Sequence, residues 1–347
     1  MVHLLPRLQH VRVRDRQCRE GDVDRRLLAE QAVRSKLRLR HALVERPLGA
    51  EALHEAVPRE LDGDVLAEVL GRDHEVVAVT DANFKPDKQV SDVETVLQKK
   101  PSIIVSIPTD PVATAAAYKK AAKAGVKLVF MDNVPNGMKA GKDYVSVVSA
   151  DNYGNGVASA KLMCQALGGK GDIGAVYHGA DFFVTRQRWD GFRTTIAKSC
   201  KGVHIVVSKG ISGPDFAGDA DTAASAMLTR YQNLKGIWAV WDVPAEGVMS
   251  AARAAGRNDL VIATEDLGKN VAVELARNGL VKGLGAQRPF DQGVTEAKLA
   301  AYGLLGKKAP IYVALPALPV THANVLQAWQ QVYHSSAPSE VKDSFEK

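Results

Sequence analysis

The chain has 347 residues, 46% hydrophobic and 24% charged, which suits a globular protein with room for two lobes, each with its own core. The formal charge of +6 invites a nucleic-acid reading, but residues 1–50 carry all of it, with 12 Lys/Arg against 6 Asp/Glu, while residues 51–347 hold 33 of each. A neutral body implies no basic face for nucleic acid, and the absence of any apolar run of about eighteen residues excludes a spanning helix.

Residues 1–73 differ in kind from the rest. They contain 13 Arg and one Lys, whereas residues 74–347 contain 8 Arg and 23 Lys. They lack Phe, Tyr, Trp, Ile, Asn and Thr altogether, and the first aromatic residue is Phe84. Such a bias is expected of GC-rich DNA read in the wrong frame. The alternatives are a genuine basic extension, with Leu27, Leu28, Ala32, Val33 and Leu37 as a weak helical stripe, or a helix-turn-helix without a recognisable turn. The start MVHLLPRLQH has no charged head followed by an apolar stretch of about 7–15 residues, so no signal peptide is read there.

From His74 onward strands and helices alternate. Strand 75–79, helix 89–99, strand 102–107, helix 111–124, strand 126–131 and strand 144–148 come first. Helix 152–167, strand 172–177, helix 186–199, strand 203–208, helix 217–232 and strand 236–240 follow. Helix 244–256, strand 260–264, helix 269–278, strand 281–285, helix 290–305, strand 311–315 and helix 322–334 complete the pattern. Short apolar strands between amphipathic helices predict parallel sheets covered on both faces. Ligands of such sheets bind at the carboxyl ends of strands.

The loops there carry polar and aromatic groups. Strand 126–131 runs into Asp132-Asn133, which can bond hydroxyls or simply form a turn. HGADFFVTRQRWDGF places Phe182 and Phe183 before Arg186, Arg188 and Trp189. An arginine in a first helical turn opposes the helix dipole, so Arg188 is either a ligand fork or a surface partner of Asp190. Trp241 ends strand 236–240, where it can cover the CH face of a sugar ring or pack in a core, and Asp242 can cap the next helix. Strands 260–264 and 281–285 run into Glu265-Asp266 and Gln287-Arg288, which have turn or cap readings of their own.

No GxSxG, P-loop or HExxH motif occurs, and GGKGDIG at 168–174 precedes a strand, so it reads as a turn. No enzymatic constellation and no cofactor are expected. The cysteines Cys18, Cys164 and Cys200 lack zinc spacing, so no metal is expected either. Asp, Asn, Arg and Gln beside aromatic rings suit a neutral polyhydroxylated ligand.

In order along residues 74–347, these segments resemble the type I (ribose/galactose-type) periplasmic sugar-binding proteins of ABC transporters. VVAVTDANFKPDKQVSDVETVLQKKPSIIVSIPTDP resembles that family's second strand, helix and third strand. VKLVFMDN resembles its fourth strand, and SADNYGNG its crossing between lobes. RWDGF matches its RxxGF motif, while KGIWAVWD, TEDLG and GAQRPFDQG resemble later ligand loops.

The resemblance implies an α/β periplasmic-binding-protein fold: two doubly wound parallel-sheet lobes joined by a hinge. Lobe one would comprise 74–150 and 288–316, and lobe two 151–287 and 317–347. It implies ligand contacts at Asp132, Asn133, Arg188, Asp266 and Gln287, with Trp241, Phe216, Phe182 and Phe183 as further positions. It also implies a monomer in the periplasm, a sugar ligand, an ABC permease as partner and no nucleic acid. The runner-up is a sugar-sensing transcription regulator of the lactose-repressor type. A periplasmic setting would permit a Cys164–Cys200 disulfide, but spacing alone cannot show proximity, so two buried free thiols are preferred. The family's first strand finds no match within 1–73. The expectation is an incomplete first lobe that misfolds or binds sugar weakly.

Overall fold

The computed structural model describes residues 39–41, 74–180 and 182–346. Two six-stranded sheets organise them. The first contains β1 (Leu39–His41), β2 (His74–Val76), β3 (Ile103–Ser106), β4 (Lys127–Met131), β5 (Ser146–Ala150) and β11 (Tyr312–Leu315), in the order β11-β5-β4-β3-β1-β2. The second contains β6 (Lys170–His178), β7 (Gly202–Ile211), β8 (Gly236–Ala239), β9 (Val261–Glu265), β10 (Val281–Ala286) and β12 (Leu318–Val320), in the order β12-β10-β9-β8-β6-β7. The chain passes between sheets after β5, after β10 and after β11. All pairings are parallel except β12 against β10.

Alternation explains why each sheet is covered on both faces. In β3 and β4, Ile104, Leu128 and Phe130 pack on Val93 and Val96 of α1 (Pro86–Gln98) and Tyr118 and Ala121 of α2 (Ala115–Lys123). Their neighbours Ile103, Val105 and Val129 pack on Leu299 and Ala300 of α8 (Pro289–Leu304). Successive side chains point to opposite faces, so a strand apolar throughout must be buried twice. The second sheet repeats the rule. Ile173, Ala175, Trp238 and Ala263 pack on α3 (Asn152–Ala166) and α4 (Phe183–Ser199). Val176, Ile237, Ala239 and Ile262 face α5 (Phe216–Arg230), α6 (Asp242–Ala254), α7 (Lys269–Ala276) and α9 (Val325–Tyr333).

The structure corrects several expectations. Helix 111–124 begins at Ala115, because the Asp110 carboxylate accepts the N–H groups of Val112 (2.7 Å) and Ala113 (2.8 Å) and holds a turn there. Strand 144–148 lies two residues later, at Ser146–Ala150, and Tyr144 instead packs its ring on Phe130 at 5.4 Å. Helix 322–334 is divided by a capping box between Thr321 and Asn324 into a 3-10 turn, His322–Asn324, and α9. The pattern also omitted β12 and α10 (Ser339–Phe345).

Two further corrections matter for function. Cys164 and Cys200 are joined in a disulfide, with Cα atoms 6.1 Å apart, and not left as free thiols. Parallel β6 brings α3 and α4 side by side on one face, which places the ends of both helices in reach. The gap expected between β2 and β3 is also filled. Leu39–His41 pairs in parallel with His74–Val76, and His41 with Ile103. The expectation of unpaired backbone at this place is therefore corrected. The other readings of residues 1–73 lie outside the described residues.

Candidate ligand-binding cleft

Asp132 and Asp266 occupy equivalent places in the two sheets. Each follows the last residue of its strand, β4 or β9, and each gives its N–H to the adjacent strand: Asp132 to Val148 O at 2.8 Å, Asp266 to Gly285 O at 2.9 Å. Both have left-handed backbone, φ 60° and 64°. That region is costly for side-chain-bearing residues and least so for Asp and Asn. Strained aspartates at two strand ends are a functional signal.

Arg188 joins them. It is 2% exposed, although it lies on a helix. Two glycines allow α3 and α4 to approach closely enough to enclose it. A Cβ at Gly156 would stand 2.1 Å from the Arg188 carbonyl oxygen, and one at Gly191 would stand 2.2 Å from that of Tyr153. The guanidinium donates twice to Asp266, Nη1 to Oδ2 at 2.8 Å and Nη2 to Oδ1 at 3.1 Å. Nη1 also donates to Val240 O and Nε to Asn152 Oδ1, each at 3.2 Å. This fork satisfies a buried charge that would otherwise be prohibitive.

A relay continues from Arg188 to the other sheet. Asn152 Nδ2 donates to Ser149 Oγ at 3.0 Å, and Ser149 Oγ donates to Asp132 Oδ1 at 2.7 Å. The SADN segment thus links Asp132 to Arg188 across the β5–α3 crossing. Burial pushes the Asp132 carboxyl up to about 6, against the opposing pull of the Ser149 hydrogen bond and the Arg188 charge. Burial likewise pushes Asp242 up to about 8, with help from the charges of Asp266 and Glu246. Glu265 is fully buried and also raised, chiefly by desolvation; its Oε1 accepts from Ser159 at 2.7 Å.

Aromatic groups gather beside these charges. Phe216, first in α5, meets Trp241 at 4.9 Å, His178 at 5.5 Å and Phe84 at 6.1 Å between ring centroids. Phe182 stacks on His178 at 4.9 Å. Phe84 comes from the loop after β2, so its contact with Phe216 spans the two sheets. Trp241 follows Val240, whose carbonyl Arg188 holds, so rings and charges adjoin. Desolvation lowers the His178 pKa, which keeps the ring neutral.

Of the residues expected here, Asp132, Arg188 and Asp266 form one network, and Trp241, Phe216 and Phe182 form the adjoining cluster. Asn133 sits at the edge. Its Nδ2 donates to Pro108 O at 3.1 Å, while its Oδ1 is buried without a hydrogen-bond partner. Gln287 follows β10, half-buried, with no side-chain hydrogen bond among the described residues. Phe183 begins α4 and has no ring contact among the described residues. Three readings change. Helix α4 starts at Phe183, not 186, so Arg188 is in its second turn and the dipole argument for it lapses. Asp190 pairs with Arg193 at 2.8 Å and not with Arg188. Asp242 lies inside α6, where Trp241 is the N-cap residue.

His178, Phe84, Ser149 and Asn152 join the site without having been expected there. His178 and Ser149 lie at or near strand carboxyl ends, which was the available signal. Two grooves among the described residues, about 450 Å³ between β7 and α5 and about 580 Å³ between α6 and α7, include neither Asp132, Arg188 and Asp266 nor the rings of Phe216 and Trp241.

Residues 64–308 match the family model of the periplasmic binding protein domain. The chain belongs to that family. The match begins inside the Arg-rich segment, ten residues before His74. Over 241 residues the chain is 25% identical to a ribose import binding protein of Bacillus subtilis, covering 69% of this chain and 75% of that one. Over 171 residues it is 30% identical to a D-ribose/D-allose-binding protein of Pseudomonas aeruginosa, covering 49% and 52%. A solved solute-binding protein of Agrobacterium vitis with bound α-D-tagatopyranose shares its fold at TM-score 0.73 and 23% identity, over 85% of this chain and 99% of that one. One from Actinobacillus succinogenes with bound D-allose gives 0.71 and 23%, over 83% and 99%. The two-lobed fold and the solute-binding reading therefore hold, in preference to the transcription-regulator alternative.

Proposed function

We propose that this chain is the solute-binding component of an ABC importer and that it holds a monosaccharide or similar polyol between its lobes. Lobe one would be 74–150 with 288–316, and lobe two 151–287 with 317–347. The observation that carries the reading is the Arg188–Asp266 fork at the strand ends of one sheet, facing Asp132 from the other. Carboxylates accept hydrogen bonds from sugar hydroxyls, and the aromatic cluster covers the CH face of a ring. Asn133, Gln287 and Phe183 complete the surround.

A ligand touching both lobes binds the closed arrangement more tightly than the open one, so it drives hinge closure. The Phe84–Phe216 contact supports a closed cleft. The chain would work as a monomer in the periplasm, deliver its ligand unchanged to an inner-membrane permease and bind no nucleic acid. No helix among the described residues is long and apolar enough to cross a membrane. Isothermal titration with ribose, allose, tagatose and myo-inositol tests the reading. Saturable binding of at least one, with a ligand-dependent rise in Tm, is expected. Heatless titrations across the panel would overturn it.

A further inference from the structure

The cleft holds more hydrogen-bond acceptors than its own donors answer. Arg188 is the cation of the network, and its guanidinium has five N–H donors. Four are spent on Asn152, Val240 and both oxygens of Asp266. One N–H remains for a ligand. Asp266 thereby neutralises Arg188, and Asp132 is left with one donor, Ser149. Asp242, 9% exposed, receives the N–H of Val243 at 3.0 Å and no cation. The remaining groups around Asp132 add no positive charge: Tyr312 is a neutral phenol facing the same carboxylate, and Asn133 is an amide.

The rings supply an independent observation of the same sign. Phe216, Trp241, Phe84 and His178 meet at 4.9–6.1 Å, mostly edge to face. Aromatic faces carry negative electrostatic potential, and clustered rings are a recognised receptor for ammonium groups. A neutral sugar would use their apolar area alone. A sugar with a protonated amine would use that area, the ring potential and the unanswered carboxylate together.

From this geometry we propose that the cleft selects a monosaccharide bearing a protonated amine, the ammonium lying between Asp132 and the Phe216–Trp241 rings. The proposal rests on the sugar-binding reading above and names its ligand class. Burial outweighs the pull of the Arg188 charge and raises Asp132, so that carboxylate is incompletely compensated by its own surroundings.

The test titrates the full chain at pH 7 with glucose, galactose, glucosamine, galactosamine and their N-acetyl forms. N-acetylation keeps the hydroxyls and removes the charge. The amines are expected to bind about tenfold tighter than both neutral series. Asp132→Asn keeps the size of the side chain and its bond to Ser149, and should erase the advantage of the amines over the neutral sugars measured on the same variant. A cooperative thermal melt of the ligand-free variant would show that it folds. Neutral sugars binding as tightly as the amines would overturn the proposal and leave the sugar-binding reading intact. Failure of every sugar, in this panel and the earlier one, would overturn both.

Discussion

The two sheets present the same device, an aspartate in left-handed backbone just beyond a strand, but they support it differently. Asp266 is gripped by a buried guanidinium. Behind that grip, Trp189, Phe192 and Trp238 stack at 4.5–6.3 Å and the Cys164–Cys200 bridge ties α3 to the end of α4. Asp132 has a single hydroxyl partner and a smaller core beneath it. On the proposed reading, the second sheet would offer a rigid half-site, and the first a less anchored carboxylate that depends on closure. Pre-organising one half limits the ordering cost to the other.

The comparison breaks most directly at Arg188. Replacing it with alanine removes the buried partner of Asp266, whose own side chain is 24% exposed, so the expected cost is about 3 kcal/mol, the low end for a broken buried pair. Urea denaturation of Arg188→Ala should show that loss, and ligand binding should disappear with it. A variant with unchanged midpoint would mean that the second sheet is not organised around the fork.

The disulfide is the next support. It closes a segment of 36 residues within the second half. Removing it with Cys164→Ala/Cys200→Ala should lower stability by about 2–4 kcal/mol, with the loss reproduced by reducing the parent protein. Affinity should fall less than stability, because Arg188 is held by its own hydrogen bonds and by the α3–α4 packing. Equal melting of oxidised and reduced protein would remove the bridge from the account.

What could be read beforehand follows from distance along the chain. Asp132, Asp266 and Trp241 were legible because each ends an apolar strand, and strand ends are where parallel sheets bind. Arg188 was legible through RWDGF, although its geometry was misread: Gly191 is there for helix packing against Tyr153, which no spacing reveals. The Ser149–Asn152 relay was invisible as a site because its residues look like a hinge segment alone. The cysteines illustrate the limit best, since their proximity arises only when two helices share one sheet face. Strand β12 was missed because three residues give no measurable alternation.

The smallest effect is also the one that isolates the first sheet. The Asp132 carboxyl stands at about 6 in the fold against 3.8 ordinarily. Between those values the native protein retains a proton that the unfolded chain has lost. Unfolding then releases a proton, so this group's contribution to stability is complete below pH 4, declines as pH rises and is gone above about 6. Asp242 and Glu265 are raised too, so the parent's whole curve mixes several slopes. Asp132→Asn removes one of them and keeps the polar contact with Ser149. The difference between parent and variant urea midpoints should therefore change across pH 4 to 6 and stay flat above it, the ligand-free parent losing ground as pH rises. Parallel curves would mean that Asp132 is as well compensated as Asp266, and the proposed asymmetry between the two sheets would fall.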